Sequence, residues 1–236
     1  MTTADGPRGA DGWTAAVRQR LGLGRLLPLG GPADGAWIAE RAAVAVLRDA
    51  VAKGPGPGPV LGELRISVAD PDTAPDAEVA PPPSALPPGP LRIEAAMAAV
   101  SGRPLPVAAE ALRSALLTAA AQRLGLVVAA VDVRVTELLD GPPERPAPAP
   151  VEVRAAAAEG GAGAAAAGVA GVATLTRVLG RAVHMGPDHV RVELATDADR
   201  RALDVARAVR SAVTAAVEGR PPVAVLVTAV VERGAG

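Results

Sequence analysis

The sequence predicts an α+β protein made of two tandem, pseudo-repeated helix–strand–strand–helix–strand modules, each laying its helices on one face of a small sheet. Three observations lead there. Apolar residues alternate along Glu63–Val68, Leu91–Ala96 and Val127–Leu138, the period of strands with one buried face. They recur at helical spacing over about 104–124 and again after Thr196. Proline is concentrated at two breaks, with eight prolines in residues 71–90 and five in 141–150.

Taken in order, residues 13–27 place Trp13, Val17 and Leu21 on one face of an N-terminal amphipathic helix, with Gly22 and Gly24 weakening its second half. Asp34 is positioned to cap a helix from about Ala36 to Lys53, with Trp37, Val44, Leu47 and Val51 as its buried stripe. Gly54-Pro55 stops it. The strands 63–68 and 91–96 follow, separated by the proline-rich stretch 71–90, which is expected as a long surface loop. A helix from about Pro104 to Leu124 carries Ala108, Leu112, Leu116, Ala120 and Leu124 at intervals of four, and the strand 127–138 closes the first module.

The same order returns after the second proline-rich stretch. Val151–Ala170 is an Ala-rich helix candidate. Ala173–Met185 and His189–Ala195 form a hairpin around Gly186-Pro187-Asp188. Thr196 is expected to cap a helix bearing Leu203, Ala206, Val209, Val213 and Val217. Pro222–Val231, apolar on both faces, is expected at the centre of a sheet. Leu91-Arg92-Ile93-Glu94 parallels Val190-Arg191-Val192-Glu193, and Leu112–Leu116 parallels Val209–Val213. The expected organisation is therefore residues 1–33 as helix and turn, 34–140 as first module, 141–150 as linker and 151–236 as second module.

Composition narrows the function. Among 236 residues there is no Cys, Phe or Tyr, and the two Trp residues are Trp13 and Trp37. The absence of cysteine excludes disulfides, thiol nucleophiles and cysteine metal sites. With 24 basic against 25 acidic residues, and no aromatic platforms, nucleic-acid binding is disfavoured. The polar first dozen residues lack the apolar core of a secretory signal, and no window holds about 20 continuous apolar residues, so the expected location is cytoplasmic.

The helix–hairpin–helix–strand order, with the junction Gly168–Leu175, resembles the alkaline-shock/envelope-stress-response family, although Ala170 stands where that family has proline. The blocks LGLGRLLPLGGPADGAWIAERAAVAVLR and PPPSALPPGPLRIEA resemble an uncharacterised actinobacterial family that carries a nucleopolyhedrovirus-type name. The first resemblance implies a non-catalytic, partner-binding or self-associating protein near the cell envelope. Neither assigns functional residues.

Motifs for chemistry are sparse. His184 and His189 flank a turn with only Asp188 nearby, too few ligands for a metal. No serine lies in a strained G-x-S-x-G elbow, and the glycines of 22–31 fit neither a phosphate loop nor a dinucleotide fingerprint. Arg200, Arg201, Arg207 and Arg210 interleave with Asp197, Asp199 and Asp204, as on a salt-laced solvent face. The strongest candidate is the N-terminal helix, where Arg18, Arg20 and Arg25 accompany Trp13, a pattern suited to a lipid headgroup layer or a docking partner. Trp13, Arg18, Arg25 and Trp37 are thus the candidate partner- or membrane-binding residues. No catalytic, metal or cofactor residues are expected, and strands 63–68 and 173–185 are candidate edges for a partner chain. The alternative is a small enzyme or ligand-binding protein with a pocket between the modules, using His184 or His189.

Overall fold

The computed structural model describes residues 23–54, 59–141 and 153–232. It is an α+β protein with two sheets. The larger, seven-stranded sheet contains β1 (Leu26–Leu29), β2 (Ala36–Ala39), β6 (Ala155–Ala156), β7 (Val172–Thr176), β8 (Val183–Met185), β9 (Val190–Asp197) and β10 (Val223–Val231). Its order is β1-β2-β10-β9-β7-β6, with β8 also on β9. The smaller sheet is β3 (Val60–Val68), β4 (Leu91–Val100) and β5 (Val128–Leu139), in that order. Four helices accompany them among the described residues: α1 (Glu40–Ala52), α2 (Leu105–Ala119), α3 (Gly160–Ala167) and α4 (Ala202–Ala216).

The order helix–strand–strand–helix–strand occurs as α1-β3-β4-α2-β5 and returns, with the three-residue β8 inserted between its two strands, as α3-β7-β9-α4-β10. In each case the first two strands are antiparallel and the crossover helix brings the third in parallel. The starts of β4 and β9 match in detail. Leu91 N–H donates to the Val127 carbonyl at 2.7 Å, and Val190 N–H donates to the Pro222 carbonyl at 2.9 Å. The two crossover helices bury Leu112 and Leu116, and Val209 and Val213, as their spacing requires.

The boundaries 34–140 and 151–236 do not separate two sheets, however. Ala36–Ala39 is not the first turn of a helix capped by Asp34 but strand β2. It pairs antiparallel with β1 and parallel with β10, setting Trp37 opposite Leu226. A four-residue apolar run with Trp and Ile suits a strand buried on both faces, and here both backbone edges are taken. The helix begins at Glu40, burying Ala42, Ala43, Val46 and Leu47. One continuous core therefore runs through both repeats.

Other expectations shift locally. Leu26 and Leu27 lie in strand β1, 2% and 0% exposed, rather than on an amphipathic helix; residues 1–22 lie outside the described residues. The linker, except Gly141, also lies outside them. The loop 71–90 is packed across the outer edge of β1: Leu86 N–H donates to the Leu26 carbonyl at 2.9 Å, and Val79 is buried. Thr196 does not cap a helix; it is a buried residue of β9, and α4 starts at Ala202. The strand 222–231 is central, as its apolar faces predict. Among the described residues of the Ala-rich segment, Ala155–Ala156 and Gly160–Ala167 are regular, a short strand and a two-turn helix.

Candidate interaction surface

Of the four residues singled out from the sequence, Trp13 and Arg18 lie outside the described residues. Trp37 is 1% exposed, wedged in β2 between β1 and β10, and presents nothing to a partner or a lipid surface. Arg25 serves the fold. Its guanidinium donates to both Glu40 carboxylate oxygens and to the Ile66 carbonyl on β3. Burial pushes the Glu40 carboxyl upward, but the hydrogen bonds and charge of Arg25 outweigh it and hold it below the ordinary range. The structure does not gather these four residues into one site.

Arginines at the start of α4 and along it tie elements together. Arg207 pairs with Asp34 at 2.7 Å, Arg210 donates to the Ala33 carbonyl, and Arg201 donates to the Ala121 carbonyl at 2.9 Å. Their side chains remain partly solvated, but they are inter-element staples rather than one free solvent face. His184 and His189 sit at the predicted hairpin, where Gly186 N–H donates to the His189 carbonyl. Among the described residues no three metal-ligating side chains converge. The junction between the repeats is filled: the open side of Gly125 lies directly against Leu203 of α4.

The shared Arg-x-Glu pattern stands in different surroundings in the two halves. On β4, Arg92 and Glu94 stand on the open face of the small sheet, exposed, with Arg92 paired to Asp132. On β9, Arg191 and Glu193 are buried beneath the arch 177–182 that joins β7 to β8. The Glu193 carboxylate accepts from the N–H groups of Val178 at 2.7 Å and Leu179 at 2.9 Å, while Arg191 stands 3.4 Å away. Burial pushes the Glu193 carboxyl above its ordinary range, against the pull of these donors.

A raised native pKa means that the folded state holds its proton more tightly than the unfolded chain. The contribution of Glu193 to stability is therefore greatest in acid and declines as pH rises from the ordinary glutamate range through the raised native value. Glu193→Gln, whose carboxamide oxygen can still accept from the arch, is expected to remove that decline. Glu193→Ala leaves two buried N–H donors orphaned and is expected to cost about 2–3 kcal/mol. Thermal melts of the three proteins between pH 4 and 8 check both outcomes; parallel pH profiles for wild type and Glu193→Gln would contradict the assignment.

The two outer edges of the small sheet differ. β3 is capped by arginines: Arg48 donates to the carbonyls of Leu61 and Gly62, and Arg25 to that of Ile66. The sequence marked β3 as an edge for a partner, and these contacts occupy it. Ala173–Met185 is an edge only in part: β7 lies between β6 and β9, whereas β8 pairs with β9 alone and has no strand on its outer side among the described residues. The far edge of β5, a 12-residue strand, is paired with no strand among the described residues. Among the described residues the Arg113 Nε alone donates to it, at the Val131 carbonyl, 3.1 Å away.

Beside that edge the surface is apolar. Of the seven large hydrophobic side chains exposed among the described residues, six lie within the α2–β5 segment: Leu105, Val107, Leu117, Val127, Val135 and Leu138. Leu138 is 66% exposed. A shallow depression on the outer face of α2, lined by Pro106, Val107, Glu110, Ala111 and Ser114, adjoins them. The sequence signal for this surface is the alternation Val131, Val133, Val135 with Asp132 and Arg134 between. It specifies a half-buried strand but does not say which edge is left unpaired.

Set against protein-family models, curated proteins and solved structures, the chain finds no match. Among the described residues no helix is long and apolar enough to cross a membrane.

Proposed function

We propose that this is a non-catalytic scaffold or envelope-stress-response protein that acts through protein–protein contacts, in the cytoplasm or at the periphery of the cell envelope. The observation that carries this reading is the α2–β5 segment, which has an unpaired strand edge and holds six of the seven large apolar side chains exposed among the described residues. Isolated exposed hydrophobics are ordinary; a concentration of them beside a free edge marks an interaction site. The resemblance of each repeat to the alkaline-shock family points the same way. The basic, Trp-bearing segment with Trp13 and Arg18 supplies the envelope contact in this reading.

Photo-crosslinking in cells tests it. A photoreactive residue at Leu138 or Val107 is expected to form adducts with protein, and one at Glu218, on the loop after α4, is not. Equal labelling from all three positions would overturn the reading. For the envelope contact, deletion of residues 1–22 leaves β1 in place and is expected to abolish co-sedimentation with anionic vesicles. Unchanged sedimentation would remove that part of the proposal.

A further inference from the structure

The α2–β5 surface also specifies a partner, and this step rests on its being the contact surface. Along β5 the residues divide by their β4 neighbours. Val131, Val133 and Val135 pair with Ile93, Ala95 and Met97, which are buried on the helix-covered side. Asp132 and Arg134 pair with Glu94 and Ala96 and stand on the open face. Asp132 is bonded by Arg92 on its inner side, whereas Arg134 is exposed and joins none of the ion pairs among the described residues. The strand holds neither proline nor lysine, the residues that commonly protect edges.

We propose that the protein pairs with a second copy of itself through β5, antiparallel, with the two-fold axis at Val133, giving a continuous six-stranded sheet. In that register Asp132 of each copy stands opposite Arg134 of the other, twice over, and Val131 opposite Val135. Moving the axis by one residue, to Asp132 or to Arg134, sets like charges against each other. A parallel, in-register pairing does the same. Of these arrangements charge complementarity favours the axis at Val133, the one that sets both opposite-charge pairs at cross-strand distances where they interact. The Val131 carbonyl bonded by Arg113 indicates that the backbone groups of Val131, Val133 and Val135 face outward, ready for the new ladder.

The register also accounts for the exposed apolar residues. Val128 comes opposite Leu138 of the second copy; both belong to the helix-covered side, being paired with the buried Leu91 and Ala99. Arg113 is level with Val131, so Leu117, one helical turn further on, is level with the start of β5. Leu138 of one copy is thereby covered by Leu117 and Val127 of the other. The β3 edge, closed by Arg25 and Arg48, offers no equivalent.

Sedimentation equilibrium of the full chain tests the pairing. Wild type is expected to dimerise. Asp132→Arg or Arg134→Asp alone creates two like-charge pairs and is expected to weaken the dimer about tenfold or more. The double variant, and an equimolar mixture of the two single variants, restore complementarity and are expected to recover it. Since the chain has no cysteine, Val133→Cys is expected to give a disulfide-linked dimer on oxidation, and Ser67→Cys on the β3 edge is not. A monomeric wild type, single reversals without effect, or no covalent dimer from Val133→Cys would overturn the proposal. A monomeric wild type whose Leu138 still crosslinks to a different protein in cells would overturn the second copy as partner while leaving the contact surface standing.

Discussion

Trp37→Ala is expected to lower the unfolding free energy by about 3–5 kcal/mol, enough to leave a domain of ordinary stability largely unfolded. Trp37 is the largest fully buried side chain among the described residues, and it sits where the two repeats are joined. β2 is a strand of only four residues, hydrogen-bonded to β1 on one side and to β10 on the other. Truncating the indole opens a cavity beside Pro28 and Leu226, their register partners, and loosens the strand through which α1 is attached. Trp37→Phe is expected to cost less, about 1–2 kcal/mol. It restores most of the volume, and the indole N–H that it removes is buried without a partner among the described residues. Denaturant melts followed by circular dichroism give both values; a loss under 1 kcal/mol for Trp37→Ala would contradict the core role.

Gly125→Ala is expected to destabilise by about 2–5 kcal/mol, combining backbone strain with overpacking. Gly125 has φ near +91° after the π-helical turn Ala120–Leu124 that ends the crossover helix of the first repeat. A Cβ there would stand 2.4 Å from the Leu203 Cβ on α4, in the second repeat. The Gly125 carbonyl also accepts the Gly30 N–H at 3.0 Å, so the backbone has little room to move away. Leu203→Ala removes part of the clash. The double variant is therefore expected to be more stable than the sum of the two single losses implies, by about 1 kcal/mol or more. Strict additivity would show that the two residues do not meet.

The regular elements with clean periodicity were legible from residues alone. The stripe Ala108, Leu112, Leu116, Ala120 and Leu124 is buried throughout, and β3, β4, β5 and β10 fall where alternation or continuous apolarity places them. The hairpin at Gly186-Pro187-Asp188 was legible from turn chemistry. Ala36–Ala39 was not: four apolar residues adjoining a helical pattern carry no period of their own, and only the two waiting neighbours, β1 and β10, make them a strand. Thr196 departs from expectation for a related reason. A cap-forming side chain after a strand suggests a helix start, but pairing with Val172 and Val230 carried the strand through it.

The candidate site was less legible than the fold. Basic and aromatic residues near the N-terminus drew attention to Arg25 and Trp37, which the fold uses for an ion pair and a core. The apolar surface of α2 and β5 drew none, because a strand's alternation describes its two faces and is silent about its two edges. The α+β class, the recurring order of elements and the buried stripes of the two crossover helices follow from local spacing and from the need to bury apolar side chains, whereas the first helix buries Ala42, Ala43, Val46 and Leu47 rather than Val44 and Val51. Long-range contacts set the rest: β2 joins the sheet of the second repeat, Arg191 and Glu193 are covered where Arg92 and Glu94 are open, and β3 is capped by arginines where β5 has no strand beside it among the described residues. Each of these depends on which backbone edge or carbonyl a distant residue reaches, and no local pattern encodes that distance.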